Sequence, residues 1–249
     1  MSTGTYRWLA RYFDHLFEHQ RPFPIARKVV FGPLLPAVSS ACDLCCGTGE
    51  LALNFAAQGI RTFAVDLSPD MCRITREKAR AALLPVKVIR ADMRAFRLPR
   101  QVDLITCEFD AINHVPRKSD LARVLKCAAL ALRPGGHFVF DTNNRLAFET
   151  VWNNTWFIDK DPVAMVMRST HKPGTDKAAC EVEFFIREGQ IWRRRHEHVE
   201  EVCWTMDEIR QALAKAGFGE VQTWDAAPFF DDQLTQPGAR TFWRARRNG

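Results

Sequence analysis

The segment Cys42-Asp43-Leu44-Cys45-Cys46-Gly47-Thr48-Gly49-Glu50 decides the fold, because it joins a short apolar run to a helix-like stretch. Gly47 and Gly49 remove side chains where the backbone can approach a ligand, and the helix start at Glu50 offers N–H groups. A dinucleotide site would have a third glycine where Ala52 stands, and Glu50 is unfavourable beside a pyrophosphate. The segment therefore predicts a ligand-binding loop between a strand and a helix, and it disfavours a phosphate cradle.

Around this loop, β-like and helix-like runs alternate from residue 41 to 141, which is typical of right-handed βαβ units. The predicted strands are Ala41 to Leu44, Thr62 to Val65, Val86 to Ile89, Val102 to Cys107, His137 to Phe140, Val221 to Trp224 and Thr241 to Ala245. Ser68 and Ser119 are predicted helix starts, and Thr205 forms a predicted capping box with Glu208. We therefore expect an α/β fold with a doubly wound, Rossmann-like sheet of seven mostly parallel strands.

Two other regions surround this sheet in a chain predicted to be a single domain over residues 1–249. Apolar residues recur at helical spacing from Trp8 to Phe17, and a second helix is predicted from Ile25 to Leu35. Residues 1–38 are therefore predicted to form a helical lid. Residues 151–203 are predicted to form an inserted β-rich substrate flap, with strands from Val163 to Thr170, Ala179 to Arg187 and Ile191 to Val202.

The composition restricts the class of protein. With 249 residues, 47% hydrophobic and 26% charged, the chain has the composition of a soluble globular protein, and no apolar run reaches the ~18 residues of a membrane span. Its eight cysteines show neither a disulfide ladder nor paired metal-ligand spacing, which indicates a reducing, cytoplasmic location and no metal. The net charge of +6 permits an anionic partner without requiring one.

Polar residues follow four of the predicted strands where those strands end. The first set is the glycine-rich loop, and the second is Asp66, whose carboxylate could accept hydrogen bonds from two ribose hydroxyls. Asp92 and Met93 follow the third strand, where an acid and an apolar neighbour suit an exocyclic amine and a purine face. The segment from Cys107 to His114 follows the fourth strand. Because the carboxyl ends of parallel strands share one edge, these four loops should surround a single site.

These four motifs resemble those of the class I S-adenosylmethionine-dependent methyltransferases, over roughly residues 6 to 225. The first motif of that family, D/E-x-G/C-x-G-x-G, corresponds here to Asp43, Cys45, Gly47 and Gly49. The resemblance implies S-adenosylmethionine as the cofactor, held by side chains that include Asp66 at the ribose. Further implied cofactor contacts are Leu67 and Met71 on one adenine face, Asp92 and Met93 at the adenine edge, and Glu108 and Phe109 below the transferable methyl.

Within this superfamily, the sequence is most similar to small-molecule N- or O-methyltransferases related to the sugar N,N-dimethyltransferases. Tyr6-x-x-Leu9-Ala10-x-x-Phe13-Asp14-x-Leu16, Phe109 to Asn113 and Arg195 to His198 carry this similarity. Many relatives have Tyr-Asp where Phe13-Asp14 stands here. A role for a phenol at that position therefore does not transfer, although Tyr6 and Tyr12 are nearby. The resemblance implies a small-molecule methyl acceptor.

Two histidines are the candidate catalytic residues. His114 follows the fourth strand, near the expected methyl-transfer end, and a structural role for it is an open alternative. His196 and His198 share one face of a predicted strand, so His198 is a candidate to line the acceptor pocket. Two other functions stay open: methylation of RNA, suggested by Arg193 to Arg195 and the basic C-terminus, and a non-catalytic regulatory protein that binds S-adenosylmethionine. The oligomeric state is not predicted.

Overall fold

The computed structural model describes residues 6–17, 23–230 and 236–249, which form two sheets and the helices that flank them. The helices are α1 (Arg7–Phe17), α2 (Phe23–Val30), α3 (Glu50–Ala57), α4 (Pro69–Ala81), α5 (Lys118–Ala131), α6 (Arg145–Thr150) and α7 (Met206–Lys215). The strands are β1 (Ser40–Leu44), β2 (Arg61–Asp66), β3 (Val86–Arg90), β4 (Val102–Cys107), β5 (Leu132–Asn143), β6 (Thr155–Lys160), β7 (Val163–His171), β8 (Lys177–Glu188), β9 (Ile191–Val202), β10 (Phe218–Asp225) and β11 (Arg240–Arg247).

The main sheet has seven strands in the order β10-β11-β5-β4-β1-β2-β3. β1 lies near its centre and is buried along its whole length, as expected for a strand covered by helices on both faces. β11 is antiparallel to both of its neighbours, and the other pairs are parallel. The predicted fold class, a doubly wound and mostly parallel sheet, is confirmed.

The strand order reverses between β1 and β4, since β2 follows β1 on one side and β4 pairs with it on the other. Ligands bind in such folds beyond the carboxyl ends of the strands at this reversal. The loops after β1, β2, β3 and β4 therefore open onto one crevice, as the sequence predicts.

The second sheet is antiparallel, with the order β6-β7-β8-β9, and it is inserted between α6 and α7. Its apolar face packs with Tyr12 and Leu16 of α1 in a second hydrophobic cluster. α1 is also held to the main domain, because Thr48 Oγ1 donates to Asp14 Oδ1 at 2.8 Å and Lys78 pairs with the same carboxylate. The first helix thus lies between the two sheets and over the crevice.

Two predicted helices differ from the structure, and one strand was not predicted. The second predicted helix is an α-helix only from Phe23 to Val30, and residues 32–37 form a 3₁₀ turn, because Pro33 has no N–H for a continuing helix. The helix predicted to start at Ser119 is α5, which begins at Lys118. The N–H groups of Asp120 and Leu121 donate to the Arg117 carbonyl. β6 is an additional strand, and the apolar run Trp156-Phe157-Ile158 obscures its alternation.

The prolines of Arg21-Pro22-Phe23-Pro24 predict a break between the first two helices. Arg21 and Pro22 lie outside the described residues, and Phe23 and Pro24 begin α2. Within the described residues, no helix has the length and apolar character needed to cross a bilayer.

Candidate functional site

A cavity of about 640 Å³ lies between the carboxyl edge of the main sheet, α1 and the second sheet. This volume falls within the ~300–1,000 Å³ that ligand pockets occupy. Ten of the eleven residues predicted to bind the cofactor line it: Asp43, Cys45, Gly47, Asp66, Leu67, Met71, Asp92, Met93, Glu108 and Phe109. Tyr6 and His114 lie at the other end of the same lining.

Asp66, at the end of β2, is held in place by two backbone donors. The Gly47 N–H donates to its Oδ2 at 3.0 Å, and the Ser68 N–H donates to its Oδ1 at 2.8 Å. Burial raises the pKa of Asp66, and these backbone hydrogen bonds oppose that shift. Each oxygen retains acceptor capacity, since a carboxylate offers about four lone-pair sites. Asp66 can therefore accept further hydrogen bonds from a vicinal diol.

Gly47 and Gly49 of the first motif must each be glycine, but for different structural reasons. Gly49 is the N-cap of α3 with a φ of 84°, and a Cβ added to it would lie 2.8 Å from Thr75 Oγ1 and closer still to Cγ2. Gly47 has a φ of 53°, and an added Cβ would meet nothing within 4 Å. Gly49 is the one predicted cofactor residue that is not among those lining the cavity. It allows α4 to pack closely on the loop, whereas Gly47 leaves space at the ligand.

A buried ionic group forms the floor of the crevice. Arg27 of α2 donates to both carboxylate oxygens of Glu108, with Nη2 2.7 Å from Oε2, and its Nη1 lies 3.3 Å from Glu50 Oε1. Asp43 accepts from Thr106 Oγ1 at 3.0 Å, and burial together with the charge of Glu108 raises the pKa of Asp43 to about 7. Asp43 is thus close to half-protonated at neutral pH, and a cation bound nearby would lower its pKa and favour the ionised carboxylate.

The predicted adenine-binding residues lie at one end of the cavity, where Leu67, Met71 and Met93 provide apolar surface. Asp92 is engaged by Arg94, whose Nη2 lies 2.6 Å from its Oδ2. These hydrogen bonds lower the pKa of Asp92. An exocyclic amine would therefore share this carboxylate with Arg94. The loop is tied to the first motif by Cys45 Sγ, 3.7 Å from Met93 Sδ.

His114 occupies the opposite end and forms two hydrogen bonds. Its Nδ1 lies 3.0 Å from the carbonyl of Glu200, and its Nε2 lies 3.0 Å from the Tyr6 hydroxyl. Because a carbonyl only accepts, Nδ1 carries the proton, and the neutral ring accepts from Tyr6 at Nε2. Burial lowers the pKa of His114 and raises that of Tyr6, so both groups are neutral at pH 7.

Beside His114 lies a buried cluster of carboxyl groups around one guanidinium. Arg240 Nη2 is 2.8 Å from Asp110 Oδ1, and Arg240 Nη1 is 3.0 Å from Asp141 Oδ2. Burial and the charge of Asp110 raise the pKa of Glu201, which hydrogen-bonds to Asp110. Burial works to raise the pKa of Asp110 as well, but Arg240 and the Glu201 hydrogen bond outweigh it and the pKa is lowered. Glu201 is therefore the protonated partner of an ionised Asp110.

One ligand atom each from Asp110, His114 and Glu201 lies within 4.8 Å of the others, which is a spacing that a metal ion could use. Both nitrogens of His114 already form hydrogen bonds, and Arg240 already neutralises Asp110. These groups thus form a hydrogen-bonded network around the Arg240 guanidinium, in which Asp141 Oδ1 alone of the Asp110 and Asp141 oxygens has no hydrogen-bond partner among the described residues, and the absence of a metal stays a prediction.

His198 is not among the described residues that line the cavity. It shares a face of β9 with His196, as predicted, but both side chains are about half-exposed and hydrogen-bond to Glu181 on the outer side of the second sheet. Because side chains alternate along a strand, Glu197, Val199 and Glu201 face inward instead. The alternation therefore places Glu201 and His198 on opposite faces of β9, but the sequence alone does not decide which face lies inward. Tyr6 and Asp110 lie in segments that the sequence analysis singles out, whereas Arg240 is indicated only as part of the basic C-terminus.

The chain resembles known methyltransferases. Residues 41–136 match the family model described as a methyltransferase domain. YqeM of Bacillus subtilis, which is named as a methyltransferase, is 25% identical over 98% of this chain and 97% of its own length. An S-adenosylmethionine-dependent methyltransferase of Clostridium acetobutylicum is 24% identical, with a TM-score of 0.80 over 98% of this chain and 99% of its own.

Another solved structure is the SAM-bound amino pentose methyltransferase CalS10 of Micromonospora echinaspora. It is 22% identical, with a TM-score of 0.68 over 97% of this chain and 92% of its own. Residues 41–136 thus match a methyltransferase domain, and the predictions of the fold class and of methyltransferase activity are confirmed. The sugar-related subgroup, the domain limits and the individual site roles stay predictions.

Proposed function

We propose that the chain transfers the methyl group of S-adenosylmethionine to a nitrogen or oxygen of a small-molecule acceptor. One observation carries this proposal: a single cavity has the Gly47–Asp66 loop pair at one end and the Tyr6–His114 pair at the other. The first end suits a ribose and an adenine, and the second suits a group that loses a proton. The match of residues 41–136 to a methyltransferase domain supports the same assignment.

S-adenosylmethionine supplies a methyl group already activated on a sulfonium sulfur, so the protein's main tasks are alignment and the exclusion of water. Positioning of this kind contributes on the order of 7–11 kcal/mol to lowering a barrier. Asp66 accepts from the ribose hydroxyls, Leu67, Met71 and Met93 contact the adenine, and the Cys45–Gly49 backbone holds the methionine part. α1 and the second sheet close the cavity over both ligands.

Tyr6 and His114 together accept the proton that the methyl acceptor releases. The acceptor's proton moves to the Tyr6 oxygen while the Tyr6 hydroxyl proton moves to His114 Nε2, across the existing 3.0 Å hydrogen bond. Glu200 holds Nδ1–H, which keeps Nε2 free to take that proton. Tyr6 thus provides the phenol that Phe13 does not.

The two alternative functions have less support. The three arginines that suggested RNA binding are engaged within the protein: Arg193 and Arg194 pair with Glu188 and Glu183, and Arg195 lies over the Trp8 ring. A regulatory protein without an acceptor pocket would have a closed floor between Phe109 and His114, but both residues line the open cavity. These contacts favour catalysis on a small molecule.

Titration calorimetry with S-adenosylmethionine tests the cofactor assignment. Asp66→Ala removes charge-assisted hydrogen bonds worth roughly 1.5–3 kcal/mol, so affinity should fall about 10- to 100-fold. Asp70→Ala is the matched control, because Asp70 lies in the first turn of α4 but is outside the cavity lining, and this variant should bind the cofactor like the wild type. Equal affinity of the Asp66 variant and the wild type would contradict the ribose assignment.

A further inference from the structure

We propose that the methyl acceptor is an amphipathic amine, with an apolar or aromatic body against α1 and the second sheet and an amino group toward Tyr6, Asp110 and Glu201. This inference rests on the proposed function, because it names the substrate class of the same site. It distinguishes the acceptor from a phosphorylated or hydroxyl-rich sugar.

The wall of the cavity opposite the main sheet is apolar. It is formed by Leu9 and Phe13 of α1 with Trp156, Met167, Val182 and Val199 of the second sheet. These four sheet residues lie on the inward face of their strands. A hydroxyl group buried against such a wall would lose its hydrogen bonds to water without replacement, whereas an apolar body would gain by leaving water. The wall therefore favours an acceptor whose bulk is apolar.

The polar end of the cavity is rich in carboxyl groups. Asp110 and Glu201 line it, and Asp141 is fully buried outside the lining. Arg240 pairs with Asp110 and Asp141, so the three carboxyl groups outnumber this guanidinium. Burial raises the pKa of Asp141 to about 7 and that of Glu201 well above its ordinary value. Protons on these acids therefore compensate for the missing cations. An ammonium group of the acceptor could replace such a proton as the positive charge beside Glu201, which favours an amine over an anionic acceptor.

The arginines of the described cavity lining are all occupied. Arg27 pairs with Glu108 and Glu50, Arg94 with Asp92 and Asp120, and Arg240 with Asp110 and Asp141. No lysine occurs in the lining formed by residues 6–17, 23–230 and 236–249. A phosphate or carboxylate on the acceptor would thus compete with existing carboxylates for its cation, and such groups are disfavoured here.

Three probes separate the apolar body from the charge. 4-Phenylbutylamine has both features, 4-phenylbutyrate has the same body with a negative charge, and glucosamine has the amine on a hydroxyl-rich body. Calorimetric titration into the full chain saturated with S-adenosylhomocysteine should give binding of 4-phenylbutylamine at least tenfold tighter than of either other probe. Tighter binding of glucosamine or of 4-phenylbutyrate would overturn the proposal, and so would binding of none of the three at millimolar concentration.

Two tryptophans of the second sheet provide a matched pair of variants. Trp156 lines the cavity, whereas Trp192 is 53% exposed beside the β8–β9 turn and is outside the lining. Trp156→Ala should weaken 4-phenylbutylamine binding at least fivefold, and Trp192→Ala should leave it unchanged. Glu201→Gln, which keeps the shape and removes the acid, should reduce the preference for 4-phenylbutylamine over 4-phenylbutyrate. Equal behaviour of the two tryptophan variants, or an unchanged preference, would contradict the assignment.

The two proposals can fail separately in this experiment. If S-adenosylhomocysteine does not bind to the protein, the proposed function fails. If it binds but the probes follow another order, only the amphipathic-amine acceptor fails.

Discussion

Replacing Gly49 with alanine tests why this glycine is required. The added Cβ would lie 2.8 Å from Thr75 Oγ1 and 3.0 Å from its Cβ, at a residue whose φ is 84°. The left-handed conformation costs an alanine ~1–2 kcal/mol, and overpacking costs ~1–3 kcal/mol. The free energy of unfolding should therefore fall by about 2–5 kcal/mol, which lowers Tm by about 4–20 °C for a chain of this length.

Thermal unfolding followed by circular dichroism measures this effect, and Thr75→Ala provides a second perturbation. Removing Cγ2 and Oγ1 of Thr75 relieves the contact, so the Gly49→Ala/Thr75→Ala double variant should lose about 1–3 kcal/mol less than the sum of the single variants.

Gly47→Ala is the comparison, because its Cβ meets nothing within 4 Å. It should unfold with only the ~1–2 kcal/mol conformational cost but bind S-adenosylmethionine about 5- to 150-fold more weakly, as the methyl group enters the ligand's space. Strict additivity of Gly49→Ala and Thr75→Ala would show that the two side chains do not clash, and wild-type cofactor affinity of Gly47→Ala would show that the ligand does not occupy the space beside Gly47.

Two further predictions concern protons at the two ends of the cavity. For an acceptor that the wild type methylates, His114→Ala and Tyr6→Phe should each lower turnover by about 10²- to 10⁴-fold and leave cofactor affinity unchanged. Burial lowers the pKa of His114 below 6.5. Wild-type turnover should therefore be full at pH 7 and fall only as the pH drops through that lowered pKa. A loss of activity that begins above pH 7 would contradict this assignment. Asp43 has a pKa of about 7, and a bound cation favours its ionised form, so it should release up to about half a proton when cationic S-adenosylmethionine binds at pH 7. This release would make the calorimetric binding enthalpy depend on the ionisation enthalpy of the buffer. Asp43→Asn should abolish that dependence, and its persistence in this variant would place the proton elsewhere.

The sequence predicts the cofactor end of the cavity well, because local rules decide it. Asp66 ends β2, Gly47 and Met93 lie in the loops after β1 and β3, and the carboxyl ends of these parallel strands meet at one edge. The same rules do not reveal side-chain partners. Asp92 is engaged by Arg94, only two residues away, and the close approach that requires Gly49 comes from Thr75 on the next helix.

The acceptor end is less predictable, because it is assembled from residues distant in sequence. Tyr6 and His114 are 108 residues apart, and Asp110 and Arg240 are 130 apart. The orientation of β9 was also undetermined: pairing of strands fixes which face of the second sheet is covered by α1, and this directs His198 outward and Glu201 inward. β6 was missed because apolar residues occupy both of its faces, with Phe157 64% exposed.

A crystal structure of the complex with S-adenosylhomocysteine would show whether the cofactor lies in the crevice beyond the carboxyl ends of β1 and β4. We expect the two ribose hydroxyls within hydrogen-bonding distance of the Asp66 carboxylate, the adenine beside Leu67 and Met93, and the sulfur directed toward Tyr6 and His114. A ribose held by other residues, or a ligand bound beneath the second sheet with the crevice beyond β1 and β4 empty, would contradict it.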